Sequence, residues 1–213
     1  MQQRSKWFLV AAATVVLAAC SDSSNSSDGG TPGSGLSYIR LAPTAPALCN
    51  DSAGAWFVKR ASGSDQEIAL TFPENGNAAN CNAGSTEDFL RLSLKPNSLM
   101  RRPDSTLIST GDSVFIYVRW VGNDSILFDL QPSGLLFDPA NPAKLKIEYS
   151  EAGDDLNDDN HVDGADTLAE NKLDIWRQEK PGDPFFRVGT SKSEDSNEVE
   201  ARLNGFSRYA LAY

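Results

Sequence analysis

Histidine occurs once in the 213 residues, cysteine three times and methionine twice. With His161 alone, there is no second imidazole for a histidine metal cage, and no Ser-His-Asp or Cys-His arrangement can be assembled away from it. No Cys-x-x-Cys is present, and no glycine-rich phosphate loop follows a strand-like run. Positive charge is also scarce: 19 Lys and Arg stand against 29 Asp and Glu, a net −10. That balance argues against nucleic acid and against an anionic membrane surface as partners, and favours solubility and cations. Extended apolar patterns of period 3.6 are missing, so helices are not expected to carry the fold. Together these absences point away from an enzyme. Paired carboxylates of the kind that hydrolyse glycosides stay open, because the acids are many and their separations are not visible in a sequence.

What is present begins with an export signal. Arg4 and Lys6 form a positive n-region, and Trp7 to Ala19 is a largely apolar, uncharged run. As a helix that run would span about 20 Å, short of the roughly 30 Å hydrocarbon core, so it reads as a signal segment over residues 1–19 rather than a membrane span. Leu17-Ala18-Ala19-Cys20 resembles the lipobox of bacterial lipoproteins; the alternative is an ordinary cleaved signal that happens to contain a cysteine. The resemblance implies cleavage before Cys20, a diacylglyceryl group on its sulfur and an acylated new N-terminus. Several acyl chains, at about 0.8 kcal/mol per buried methylene, give lasting attachment to a membrane. Ser21 follows the cysteine, which by resemblance to the enterobacterial sorting rule favours the outer membrane, with the face left open. Residues 20–35 are then the lipidated cysteine and a Ser/Gly-rich stretch without a large apolar residue, expected to be a flexible tether. Loss of Arg4 and Lys6 takes the formal charge from −10 to −12.

Setting Cys20 aside leaves Cys49 and Cys81. In an exported protein an even pair reads as a disulfide, and neither sits in a metal or redox spacing.

From residue 36 to 213 short β-rich runs alternate with turn clusters, a length suited to a single domain. The runs are 55–59, 67–72, 89–94, 114–120, 126–130, 145–149, 173–177, 185–188, 198–203 and 209–211. Leu90, Leu92 and Leu94 alternate with Arg91 and Ser93, the pattern of a strand with one buried face. Pro73-Glu74-Asn75-Gly76, Gly122-Asn123-Asp124, Pro132-Ser133-Gly134 and Pro181-Gly182-Asp183 mark turns between runs. The expected fold is all-β, an antiparallel β-sandwich. Leu130-Gln131-Pro132-Ser133-Gly134-Leu135-Leu136-Phe137, then Pro142-Ala143-Lys144-Leu145-Lys146-Ile147-Glu148-Tyr149, then Phe206-Ser207-Arg208-Tyr209 resemble the ZU-five domain. That β-sandwich is named for the zonula occludens proteins and the uncoordinated-five netrin receptor. The resemblance runs from about residue 89 to the end. Some relatives cleave themselves at His-Phe-Ser, where serine attacks the preceding carbonyl with help from the histidine. Here the stretch is Gly205-Phe206-Ser207, and Gly205 supplies no base, so self-cleavage is expected to be absent.

The stretch "DLNDDNHVDGAD", residues 155–166, stands out. A calcium loop draws ligands from positions 1, 3, 5, 7, 9 and 12, position 7 through its backbone carbonyl. Counted from Asp155 these are Asp155, Asn157, Asp159, His161, Asp163 and Asp166. Moving the frame by one residue either way puts Leu156 in a ligand slot, so the register is defined. The loop resembles those of dockerins and other extracellular EF-hand-like repeats, with Asn160 in place of the usual glycine and Asp166 at the last position. Val162, at position 8, is expected to anchor the loop in the core. Oxygen-only ligands select Ca2+. The competing reading is a solvated acidic turn. With one copy, set between the runs at 145–149 and 173–177 and leaving room for about one helical turn at 167–171, the loop is expected to act as a structural clip rather than a sensor.

The functional expectation is a lipid-anchored cell-envelope module with an interaction or scaffolding role and an unknown envelope protein or glycan as partner. The alternative is a calcium-dependent carbohydrate-binding module, for which Trp56, Trp120 and Trp176 are the candidate sugar platforms.

Overall fold

The computed structural model describes residues 32–33, 35–193 and 196–213. Its strands are Pro32–Gly33 (β1), Ser52–Val58 (β2), Gln66–Pro73 (β3), Thr86–Leu94 (β4), Leu99–Arg101 (β5), Ser113–Trp120 (β6) and Leu127–Gln131 (β7). They continue with Leu136–Phe137 (β8), Ala143–Glu148 (β9), Asp174–Gln178 (β10), Phe185–Arg187 (β11), Thr190–Ser193 (β12), Glu198–Leu203 (β13) and Arg208–Ala212 (β14). Two short α-helices interrupt them, Ala79–Ala83 (α1) and Gly164–Lys172 (α2). The signal segment, Cys20 and most of the tether lie outside the described residues. Among those described, no helix is long and apolar enough to cross a membrane.

Two antiparallel sheets face each other, as the alternating pattern predicts. One has seven strands in the order β1-β11-β10-β14-β7-β6-β2, the other five in the order β12-β13-β9-β4-β3, and β5 pairs with β8 in a small third sheet. The inward side chains form one continuous core. Ile68 and Leu70 of β3, Leu92 of β4, Leu145 and Ile147 of β9 and Val199 of β13 meet Ile116 and Val118 of β6, Phe128 of β7, Ile175 of β10 and Leu211 of β14.

On β4 the expected alternation holds: Leu90, Leu92 and Leu94 are buried and Arg91 is exposed. Phe89 is buried as well, which strict alternation forbids. The register with β3 shifts between Leu70 and Thr71, so Leu70 faces Leu90 while Thr71 faces Asp88. The additional residue turns Phe89 inward, the usual effect of a β-bulge. Its ring lies 4.8 Å from Phe72, 5.0 Å from Phe128 and 6.0 Å from Trp120, centroid to centroid. Those partners come from β3, β7 and β6, so one aromatic cluster joins both sheets.

Four strands, β1, β5, β8 and β12, are absent from the runs that the sequence marks. They have two to four residues each, too few to show a period. Pro32–Gly33 falls in the expected free tether, yet it pairs with Phe185 and Phe186 at the edge of the large sheet. The Cys49–Cys81 disulfide forms, with Cα atoms 5.4 Å apart.

Candidate metal centre

β9 belongs to the five-stranded sheet and β10 to the seven-stranded one, so the chain crosses the sandwich between them. The acidic loop and α2 make that crossing. A turn over Ser150–Ala152 leads out of β9. Leu156 then drops its side chain into the core, and residues 157–162 project as an exposed turn.

The turn is built by carboxylates accepting backbone N–H groups. Asp155 accepts from the Asp159 N–H at 3.1 Å and from the Asn160 N–H at 2.8 Å. The Asn157 side-chain amide oxygen accepts from the Asp159 N–H at 3.0 Å, and the Asp159 carboxylate accepts from the His161 N–H at 2.9 Å. Winding this tightly places Asp158 and Asn160 in the left-handed region, at φ 60° and 67°. Asp and Asn are the non-glycine residues that enter it most easily. Asn160, which stands where such loops usually have glycine, therefore makes the turn.

The far end of the loop starts α2. Asp163 is its N-cap, accepting from the Ala165 N–H at 2.7 Å, and Asp166 reaches back to accept from the Asp163 N–H at 2.8 Å. This reciprocal pair is a capping box with Asp at its third helical position. The second Asp166 oxygen accepts from the Asn157 N–H at 3.2 Å, so Asp166 closes the loop onto its own beginning. The Asp163 N–H, ahead of the smaller contribution from Asn157, holds the Asp166 carboxyl below the usual carboxylate range. α2 is in turn held from two sides: the hydroxyl of Tyr149, just after β9, donates to Glu170 at 3.0 Å, and Lys192 of β12 donates to the Glu170 carbonyl at 2.6 Å.

Three expectations need correction or qualification. Val162 does not anchor the loop; it is 69% exposed, and Leu156 takes the anchoring role because α2 starts directly after position 9 and swings position 8 outward. The helix runs over nine residues rather than one turn, since the capping box starts it inside the 155–166 segment. Among the described residues, no three His, Cys, Asp or Glu side chains are gathered to hold a metal ion. The Asp and Asn oxygens at positions 1, 3, 5 and 12 instead fold and close the backbone. Asn157 also donates its amide to Asp159 at 3.1 Å, and the His161 imidazole, largely exposed, faces the Asp159 carbonyl.

Of the other singled-out residues, Ser207 is buried and its hydroxyl accepts from Arg177 Nε at 2.9 Å. The Phe206 carbonyl before it accepts from the Gly134 N–H at 3.0 Å. His161 lies in the acidic loop, far from β14. Trp120 donates its indole N–H to the Ser125 carbonyl and Trp176 donates to the Ala212 carbonyl, so both are engaged in packing. Trp56 alone is mostly exposed, at 66%. Its neighbour Phe115 stands edge-on at an interplanar angle of 61°, which does not make a flat sugar platform.

Comparison with known proteins finds no matching family model, no matching curated protein and no matching solved structure.

Proposed function

We propose that the chain is a lipid-anchored β-sandwich module of the bacterial cell envelope, held by acyl chains on Cys20, that binds or scaffolds other envelope components. Its acidic loop binds one calcium ion, which clips the two sheets together. The observation that carries the calcium reading is the closure of the loop by Asp166. Asp166, at the last ligand position, already accepts from the N–H groups of Asn157 and Asp163, at the third and ninth, and the donor set is all oxygen. Asp155, Asp159, Asp163 and Asp166 would supply carboxylates, Asn157 its amide oxygen and His161 its backbone carbonyl. The side chains are hydrogen-bonded to the backbone rather than gathered, so the ion must draw them together on binding. That cost suits the weak affinity of extracellular modules, a dissociation constant of about 10⁻⁴–10⁻³ M.

A hundredfold excess of calcium over the dissociation constant is expected to stabilise the chain by about 2.7 kcal/mol. Thermal melts in calcium and in chelator check this, with Asp155→Asn abolishing the difference. Identical midpoints in the two buffers, together with no heat on calorimetric titration, would exclude the site.

The anchor has its own test. Expressed with its natural signal in a bacterial host, the chain is expected to enter the detergent phase on Triton X-114 extraction. Cys20→Ser is expected to move it to the aqueous phase. A wild-type chain that stays aqueous would mean that the lipobox resemblance is incidental.

The ZU-five resemblance supports the scaffolding role by analogy of fold, and fold alone does not fix function. The carbohydrate-binding reading is supported by Trp56 only.

A further inference from the structure

The outer face of the five-stranded sheet carries its charges in an order that does not serve the fold. Arg91 of β4 stands directly opposite Lys146 of β9, and two residues along, Lys144 of β9 stands directly opposite Arg202 of β13. Residues so opposed have Cβ atoms about 4.5–5.5 Å apart, where like charges destabilise a sheet and opposite charges support it. Flanking acids offset part of the repulsion. Arg91 is paired with Asp88 and Glu67, Lys144 with Glu200 at 3.1 Å and Lys146 with Glu198 at 2.6 Å. The two lysines thereby occupy both acids of β13, and none is left for Arg202. Among the described residues, neither Arg202 nor Lys95 has a salt-bridge partner; both are exposed.

These side chains line an open groove of about 450 Å³. Its walls carry the four opposed cations and Lys95, against three acids, Asp65, Glu67 and Glu200. The excess of positive charge is local and runs against a chain that is −10 overall. What the groove has and lacks selects its ligand. The cations are spread over β4, β9 and β13 instead of converging on one point, which suits a polymer with repeated negative charges. No aromatic side chain lines the groove, so nucleic-acid bases have nothing to stack on. No large apolar side chain is there to enter a bilayer either. The carboxylates set among the cations are acceptors, and sugar hydroxyls are donors that fit between the charged groups.

We propose that this groove binds an acidic polysaccharide, its sugar carboxylates seated on Lys95, Lys144 and Arg202 and its hydroxyls donating to Glu67 and Glu200. The inference rests on the binding role proposed above, for which it names a partner class, and it uses neither the calcium loop nor Cys20. Negative charge from the ligand relieves the repulsion between Lys144 and Arg202, so the arrangement that costs the free protein stability favours the complex.

The test uses the full chain carrying Cys20→Ser, flowed over immobilised polygalacturonate in chelator, so that neither lipid nor bridging calcium contributes. Binding is expected at low ionic strength and is expected to be lost near 1 M salt, where the screening length falls to about 3 Å. Lys95→Gln with Arg202→Gln, which breaks no ion pair, is expected to weaken binding by about tenfold or more without lowering the melting midpoint. Lys172→Gln with Lys180→Gln, an equal change in net charge outside the groove, is expected to leave binding as it was. No binding to polygalacturonate would overturn the proposal and leave the calcium and anchor tests to decide the broader reading. Equal loss in the two double variants would also overturn it, as would equal binding to uncharged dextran or tighter binding to a single-stranded oligonucleotide.

Discussion

Replacing both Cys49 and Cys81 with alanine is expected to lower the stability of the domain by about 3–4 kcal/mol. The bond closes a separation of 32 residues, and the loop-entropy relation gives a value of about this size for such a loop. The local structure argues that little of it is recovered by other contacts. α1, which carries Cys81, has no buried residue, so burial does not hold it in place. Cys49 sits against β3, donating its N–H to the Thr71 carbonyl at 2.8 Å, and Asn50 covers that edge. The disulfide thus fastens an otherwise poorly held helical turn to the strand pair that ends both sheets. For a chain of this length the loss amounts to a fall of about 6–16 °C in melting temperature. Urea unfolding of the double variant, read as a change in midpoint, checks it. A loss below about 1 kcal/mol would mean that residues 49–81 are constrained in the unfolded chain by something other than the bond.

The expected strands form where their side chains alternate over five or more residues. Glu198–Leu203 forms to the residue, because Val199, Ala201 and Leu203 point inward between polar neighbours. Phe89 could not be assigned from alternation, since its inward turn depends on a bulge opposite β3, a property of the pairing and not of either strand alone. The acidic loop was legible in its spacing, and Asn160 makes the left-handed turn that the spacing requires. The fate of Val162 was not legible. Position 8 points inward only if the following helix starts late, and the Asp163–Asp166 capping box starts it at once. That box could have been read from Asp163 followed three residues later by a carboxylate, but the same two residues were already assigned to calcium. The place of β2 at the end of its sheet was not legible for a further reason. An uncharged run reads the same in a central strand as at an edge, and only the order of strands in the sheet tells them apart.

Phe89→Ala is expected to cost about 3–5 kcal/mol, the range for deleting a fully buried aromatic ring, whereas Phe115→Ala is expected to stay within about 1 kcal/mol. Both residues are phenylalanines inside strands, and neither composition nor β-propensity separates them. Their surroundings do. Phe89 is wholly buried and packs on Phe72, Phe128 and Trp120 from both sheets, so removing its ring leaves a cavity whose walls belong to strands that cannot close on it. The bulge that turned Phe89 inward would then serve no packing purpose. Phe115 is 45% exposed on the outer face beside Trp56, where water fills the space that its ring leaves. Equilibrium unfolding of the two variants in one buffer makes the comparison. If Phe89→Ala cost no more than Phe115→Ala, the inter-sheet aromatic cluster would not be what joins the two layers. If Phe115→Ala were the costlier, the outer face would be structural.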